Sequence, residues 1–459
     1  MKKKGLDYSE LVRTFYYNYD DPGDKYNNSL CRNVTLQITS SCNLRCTYCY
    51  EHHKCEEDMT FDTAKGIIDG IFDMYEKDDN IFINHHTKAV ILEFIGGEPL
   101  IKASLIEKIC DYWFNQGIIR GIPFVPYTRI AFATNGVAWF SEESQHFINK
   151  YKDFLCITVS IDGIKELHDL HRVDINGNGS FDKAIAAFKD GKKYGWYYSK
   201  MTFVPDSFPY IFDSVKMMIE EGCDEIYCNY AYEPLYSAND AYNLFEQLRK
   251  LSDYIIENKL DVFVSMIDYF IGGKTLSNGN YCGGTGNMIA YDIDGNAYPC
   301  LRYCPISIGK EKASKMILGD YKNGLYHTEE QKKTKEFLDS ITYESQSEQK
   351  CIDCPVSAGC AWCSAMHYEV FDTPNKRSTN ICLAHKARVL AVYYYINKRY
   401  LELGDCKPKK IHIPYEEAVE LIGEENALDV FTYEYAAALE YIEDNNLELI
   451  DGEWYYKEA

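Results

Sequence analysis

Cys42-Asn43-Leu44-Arg45-Cys46-Thr47-Tyr48-Cys49 constrains this chain more than any other stretch. Its three cysteines are spaced four and then three positions apart. Thiolates hold iron–sulfur clusters, and a cubane takes about four of them. Three in one loop leave an iron without a protein ligand, and an open coordination site is where a metal binds substrate or cofactor. A zinc knuckle or scattered core thiols would also fit the loop alone.

The surroundings of this loop read as alternating strands and helices. Val34–Thr39 alternates apolar and polar residues, as a strand does, and runs into the loop. Phe61, Ala64, Ile67, Ile68, Ile71, Phe72 and Tyr75 recur at helical spacing. Ala89–Ile95 reads as a buried strand ending in Gly96-Gly97-Glu98-Pro99, and Ser104–Glu107 fits a capping box that opens the next helix. Strands at 129–134, 154–160, 199–204 and 224–229 alternate with helices near 142–150, 181–194, 212–221 and 241–258. Repeated βα units imply a parallel sheet with right-handed crossovers. About six units over roughly 200 residues suit an open barrel better than the closed eight-unit one.

At the ends of these strands lie small polar groups. Consecutive glycines at Gly96 and Gly97 let backbone approach a ligand, and the Glu98 carboxylate can accept from an ammonium group. Asn135, Ser160 and Asp162 follow later strands, where polar groups suit ribose hydroxyls. An Arg172 fork matches a carboxylate. Each of these taken alone reads equally well as a turn or cap.

Together, in this order, they resemble the radical S-adenosylmethionine (radical SAM) superfamily, whose signature is Cys-x3-Cys-x2-Cys with an aromatic before the last cysteine, here Tyr48. The resemblance implies an α/β fold, a partial (β/α)6 barrel of parallel strands. It implies a [4Fe–4S] cluster on Cys42, Cys46 and Cys49, whose open iron binds SAM. Reductive cleavage of SAM gives a 5′-deoxyadenosyl radical. By resemblance, Gly96-Gly97-Glu98 binds the methionine amino group, Ser160 contacts SAM and Arg172 pairs with its carboxylate. Tyr48 and Asn135 complete the expected cofactor site, and Asp162 is a candidate acid or base. His52 and His53 are expected to be exposed loop residues.

From residue 281 to about 385, helical periodicity fades and cysteines crowd. Cys351-x2-Cys354-x5-Cys360-x2-Cys363 is followed by Cys382 and preceded by Cys282 and Gly295-x4-Cys300. Spacing alone leaves zinc and iron–sulfur open. The arrangement resembles the SPASM domain of peptide-modifying radical SAM enzymes, except that Cys360 and Cys363 lie one residue closer than the pattern has them. That resemblance implies one auxiliary cluster on Cys351, Cys354, Cys360 and Cys382 and another on Cys282, Cys300 and Cys363, three [4Fe–4S] clusters in all. Cys304 is a candidate fourth ligand for the last. Such a loop-rich domain is expected to rely on metal rather than its own core.

The expected organisation is an N-terminal extension (1–32), the partial barrel (33–240), a bridging helical region (241–280), the SPASM domain (281–385) and a helical, acidic C-terminal segment (386–459). A formal net charge of −22 disfavours a broad nucleic-acid or anionic-membrane surface. No apolar run reaches bilayer length. With no secretory signal at the N-terminus, a cytoplasmic location is expected, and there 18 cysteines argue for metal sites or free thiols over disulfides. The resemblance implies an oxygen-sensitive peptide maturase with a precursor-peptide substrate, its leader, and an external one-electron reductant such as flavodoxin or ferredoxin. The string around Cys42–Lys54 looks most like maturases that form thioethers. Sulfatase maturation and carbon–carbon cross-linking or epimerisation are the alternatives. An iron–sulfur electron carrier would not need the strand-end polar groups, and a radical SAM core with a zinc-stapled peptide-binding module is a third reading that metal analysis separates.

Overall fold

The computed structural model describes residues 31–78, 82–195, 198–269, 271–279, 282–285, 288–445, 447–450 and 453–456. Most of the expected N-terminal extension lies outside these. Six strands run in sequence order: β1 (Cys31–Thr39), β2 (Ala89–Gly96), β3 (Thr128–Thr134), β4 (Leu155–Ser160), β5 (Tyr198–Phe203) and β6 (Glu225–Tyr230). Each pairs parallel with the next, Val34 opposite Leu92 and Phe132 opposite Ile157. The helices between them are α1 (Phe61–Lys77), α2 (Ala103–Ile119), α3 (Glu142–Tyr151), α4 (Lys165–His171), α5 (Phe181–Gly191) and α6 (Ile211–Glu220). This is the expected α/β architecture of parallel strands. The curve stays open, because the free side of β1 pairs elsewhere.

The reasons are local. In α1, Ala64, Ile67, Ile68, Ile71 and Phe72 form one buried face, and Thr60 Oγ1 accepts from the Thr63 amide at the start. That cap stabilises the helix by about 1 kcal/mol. The expected capping box at Ser104 does not form. Glu98 instead caps a 3₁₀ turn, Pro99–Lys102, that feeds straight into α2 at Ala103. The chain is therefore already helical when it reaches Ser104, and no orphan amide awaits that hydroxyl.

The sheet does not end with the barrel. The helix α7 (Ala238–Glu257) and the short β7 (Phe263–Val264) follow β6, and β7 pairs parallel with it. On the other edge, β8 (Ile289–Tyr291) pairs parallel with β1, and β9 (Asn296–Tyr298), β10 (Gly319–Asp320) and β11 (Gly324–Leu325) extend it antiparallel. The cysteine-rich region is thus continuous with the barrel sheet. It also has an apolar cluster of its own, including Tyr298, Tyr303, Leu318, Leu338, Trp362 and Tyr368. This corrects the expectation of a core-poor region.

Three further helices complete the chain: α8 (Cys382–Leu403), α9 (Tyr415–Ile422) and α10 (Glu424–Asp444). Val389, Leu390 and Tyr393 of α8 are buried in the same core as Leu244, Leu248 and Leu251 of α7. Ile413, Leu421, Ile422 and Val430 are buried there too. Among the described residues, no helix is long and apolar enough to cross a membrane.

Candidate functional site

The first cysteine loop leaves the C-terminal end of β1. Backbone bonds pin it across the barrel mouth: the Arg45 amide donates to Val173 O (2.6 Å) and the Thr47 amide to His171 O (3.0 Å). Gly96 and Gly97 permit the close approach of β2 to this loop. A Cβ at Gly96, whose φ is +152°, would stand 2.3 Å from Thr39 O, and one at Gly97 would stand 2.4 Å from Ser41 O. The glycines therefore make room for the cysteine loop itself, where the sequence suggested room for a ligand.

Cys42, Cys46 and Cys49, with Tyr48, Gly96–Glu98, Asn135, Ser160 and Arg172, line one cavity of about 350 Å³. The cavity opens at the C-terminal ends of β1–β4, where parallel sheets place their sites. Every cofactor-binding residue expected from the sequence reaches it. Asp162, the candidate acid or base, does not line it.

Asp162 is fully buried behind the cavity. Its carboxylate accepts from Arg172 Nε (2.7 Å) and Nη2 (3.1 Å), from the Thr202 amide (3.0 Å) and from the Tyr48 hydroxyl. Burial pushes its pKa up, but Arg172 and these donors outweigh burial and hold it below the usual carboxylate range. A carboxylate so saturated is a poor proton acceptor, so the candidate role as base is not supported. It orients Arg172, whose guanidinium carbon lies 5.5 Å from the Tyr48 ring centroid.

Glu98 is likewise spoken for. Its carboxylate accepts from the Leu100 amide (3.0 Å), Thr134 Oγ1 (2.7 Å) and the Asn135 amide (2.7 Å). It ties the end of β2 to the end of β3. The suggested contact with a ligand ammonium is therefore secondary to a loop-organising role. Asn135 Nδ2 donates to Asn43 Oδ1 (2.7 Å), reaching back to the cysteine loop.

Four cavity residues were not legible as site residues. Lys54 Nζ donates to Cys49 Sγ and to Glu51 O, each at 2.9 Å. Burial pushes Glu51 up to about 7. Lys200 and Glu93 stand on the inner wall. Lys200 has accessible area inside the cavity although protein surrounds it, and burial, aided by Arg172, pushes its pKa down. Only Lys54, five residues after Cys49, gave any sequence signal. His52 and His53 are exposed, as expected.

The donor set fits an iron–sulfur cluster. All three thiols are unbridged. Burial pushes Cys42 up to about 12 and Cys46 above its ordinary value. Such thiols ionise only against a cation, and cluster iron is that kind of partner. With a cluster and SAM bound, the site would supply a carbon radical. What this chain contributes is the shape: glycines that admit the loop, and an Arg172 fork held by Asp162.

Two further thiol groups lie across the molecule. Cys351, Cys354, Cys360 and Cys382 line a cavity of about 290 Å³ together with Lys350, Arg377 and Lys386. Cys282 and Cys300 flank Gly284, with Ser364, the residue after Cys363, beside them: a Cβ there would come 3.2 Å from Cys300 Sγ, 3.2 Å from Ser364 Oγ and 3.5 Å from Cys282 Sγ. That glycine keeps the space between the thiols open. Cys300 and Cys363 both sit at helix starts, before Leu301–Tyr303 and Ser364–Phe371. Among the described residues, no three His, Cys, Asp or Glu side chains converge on a single ion; the first trio and the Cys351, Cys354, Cys360 and Cys382 set line cavities instead. Cys304, the candidate fourth ligand, is fully buried in the apolar cluster with Tyr298 and Tyr303, and burial raises its pKa strongly. It belongs to the packing.

Residues 36–221 match the Radical SAM superfamily. The chain thus carries a radical SAM domain over these residues. It is homologous to anaerobic sulfatase-maturating enzymes. A cysteine-type anaerobic sulfatase-maturating enzyme of Clostridium novyi (strain NT) is 26% identical over 340 residues, covering 69% of this chain and 83% of that protein. An uncharacterized protein of Methanocaldococcus jannaschii is 30% identical over 197 residues, 42% of this chain and 61% of that protein. The chain therefore spans less than two thirds of that relative. A solved structure described as native anSMEcpe with bound AdoMet and Cp18Cys peptide superposes with a TM-score of 0.60 at 18% identity, covering 81% of this chain and 99% of that one. That likeness establishes the fold.

Proposed function

We propose that this chain is a radical SAM peptide maturase that abstracts hydrogen from a ribosomally made peptide and joins a cysteine sulfur to carbon. One observation carries the reading. The cavity lined by Cys42, Cys46 and Cys49 is also lined by Leu301 and Arg302, the residues directly after Cys300. A substrate in it would lie between the first thiol trio and the Cys282/Cys300/Cys363 group. With a cluster on Cys42, Cys46 and Cys49 and SAM bound beside Arg172, the site would supply a carbon radical able to take a hydrogen atom from the peptide. The peptide carbon so activated would bond to a substrate thiolate, whose proton has gone to solvent, and the surplus electron would pass to the group held by Cys282, Cys300 and Cys363. Three [4Fe–4S] clusters, on the cysteine sets above, complete the scheme. An external one-electron donor such as flavodoxin or ferredoxin starts it.

The sulfatase-maturating relatives favour a second reading, oxidation of a cysteine or serine to formylglycine. Anaerobic incubation with SAM, reductant and candidate peptides separates the two. Loss of a pair of hydrogens together with loss of thiol reactivity marks a thioether; a product that reacts with hydrazide marks the aldehyde. 5′-Deoxyadenosine without any change in a cysteine-bearing peptide refutes both for that peptide.

A further inference from the structure

Arg302 occupies the turn Leu301–Tyr303, two residues after Cys300. Its guanidinium carbon lies 4.7 Å from the centroid of the Tyr50 ring, and Tyr50 directly follows Cys49. Both line the first cavity. One stacked pair therefore joins the loop of the first thiol trio to the turn that carries Cys300. Arg302 is only 8% exposed. Its Nη2 lies 2.6 Å from Glu233 Oε1 and 3.6 Å from Glu369 Oε2. Glu233 thus takes up Nη2, whereas Nε is buried without a hydrogen-bond acceptor among the described residues. A buried donor left so costs about 1–3 kcal/mol, which points to an acceptor that the polypeptide does not supply.

We propose that Arg302 sets the electron affinity of the cluster held by Cys282, Cys300 and Cys363, presenting a positive charge and an N–H donor on the side that faces the substrate cavity. This rests on reading that trio as an iron–sulfur site. Reduction adds negative charge to a cluster, so a nearby cation and N–H bonds to its sulfurs stabilise the reduced form. A strut between Glu233 and Glu369 would leave the potential where it is. Glu233 and Glu369 bear on the same centre with the opposite sign, so removing one of them should act oppositely to removing Arg302.

The test uses the full chain, anaerobically reconstituted, with redox titration of each cluster by electron paramagnetic resonance. Arg302→Gln is expected to lower the reduced-to-oxidised ratio of one auxiliary cluster at least tenfold at a fixed potential, a shift of about 59 mV downward for one electron. Arg302→Lys keeps the charge without the Nε donor and is expected between the two. Glu233→Gln is expected to shift the same signal upward. Iron and sulfide per chain should match the wild type throughout. Full iron with unmoved potentials overturns the proposal, and so does a downward shift in Glu233→Gln. Should Arg302→Gln fail to hold the cluster, Arg302→Lys and Glu233→Gln still decide. If Cys282→Ala and Cys363→Ala lose no iron, the reading of the trio falls and the proposal with it, and the iron count identifies that failure separately.

Discussion

Replacing Asp162 by asparagine tests the claim that this carboxylate is an organising group. The substitution keeps the shape and removes the charge opposite a buried guanidinium. Asp162 accepts two bonds from Arg172, one from the Thr202 amide and one from Tyr48. Bonds to charged groups are worth about 1.5–3 kcal/mol each, and losing one partner of a buried pair costs about 3–5 kcal/mol because the other is left uncompensated. Asp162→Asn is therefore expected to lower unfolding stability by about 3–5 kcal/mol, read from the urea midpoint at constant slope. Asp162→Asn combined with Arg172→Met should recover part of that loss, since no unpaired charge remains. The pH dependence follows the same pair. Its folded pKa is depressed, so its contribution is complete above the unfolded value of about 3.9 and is lost as pH falls through the lower folded value. A loss under about 1 kcal/mol in the single variant, or no recovery in the double, would refute the reasoning.

Other outcomes follow from the same geometry. Cys49→Ala is expected to abolish SAM cleavage, whereas Cys363→Ala keeps uncoupled cleavage and loses peptide product; equal loss of both in a folded Cys363→Ala would contradict separate roles. Cys304→Ala is expected to cost about 1 kcal/mol with iron content unchanged, since the thiol packs against Tyr298 and Tyr303. Burial holds His168 and His385 down to about 4. Their contribution is complete above the unfolded value of about 6.5 and is lost as pH falls from there toward about 4, so stability should decline over that window; a flat profile there would contradict neutral buried imidazoles. Deleting 407–459 should destabilise the whole chain, because Ile413, Ile422 and Val430 are buried in the main core. We also propose that this acidic C-terminal segment contributes to leader binding: substituting the exposed Leu428, Tyr435 and Leu439 on α10 is then expected to weaken leader affinity, and unchanged affinity would remove that role.

The parallel strands, their order and the residues at their ends were legible because buried strands and amphipathic helices carry strong periodicity. Cys42, Cys46, Cys49, Asn135, Ser160 and Arg172 do meet in one cavity. The roles of Glu98 and Asp162 were not legible, because a carboxylate's partners are set in three dimensions: Thr134 for one, Arg172 and Thr202 for the other. Ser104 misled because a capping box was read without the 3₁₀ turn before it. Strands β7–β11, of two or three residues each, are too short for a period-2 signal. Lys200, Glu93 and Arg302 came from distant elements and left no local motif. Cys304 looked like a ligand by proximity to Cys300, but the turn between them aims it into the apolar cluster.

The most direct test of the account is iron, zinc and sulfide per chain after anaerobic purification and reconstitution. The account predicts iron and sulfide for three cubane clusters with zinc absent. One cubane together with zinc would keep the radical SAM domain, make the C-terminal cysteines structural, and contradict the proposed electron path.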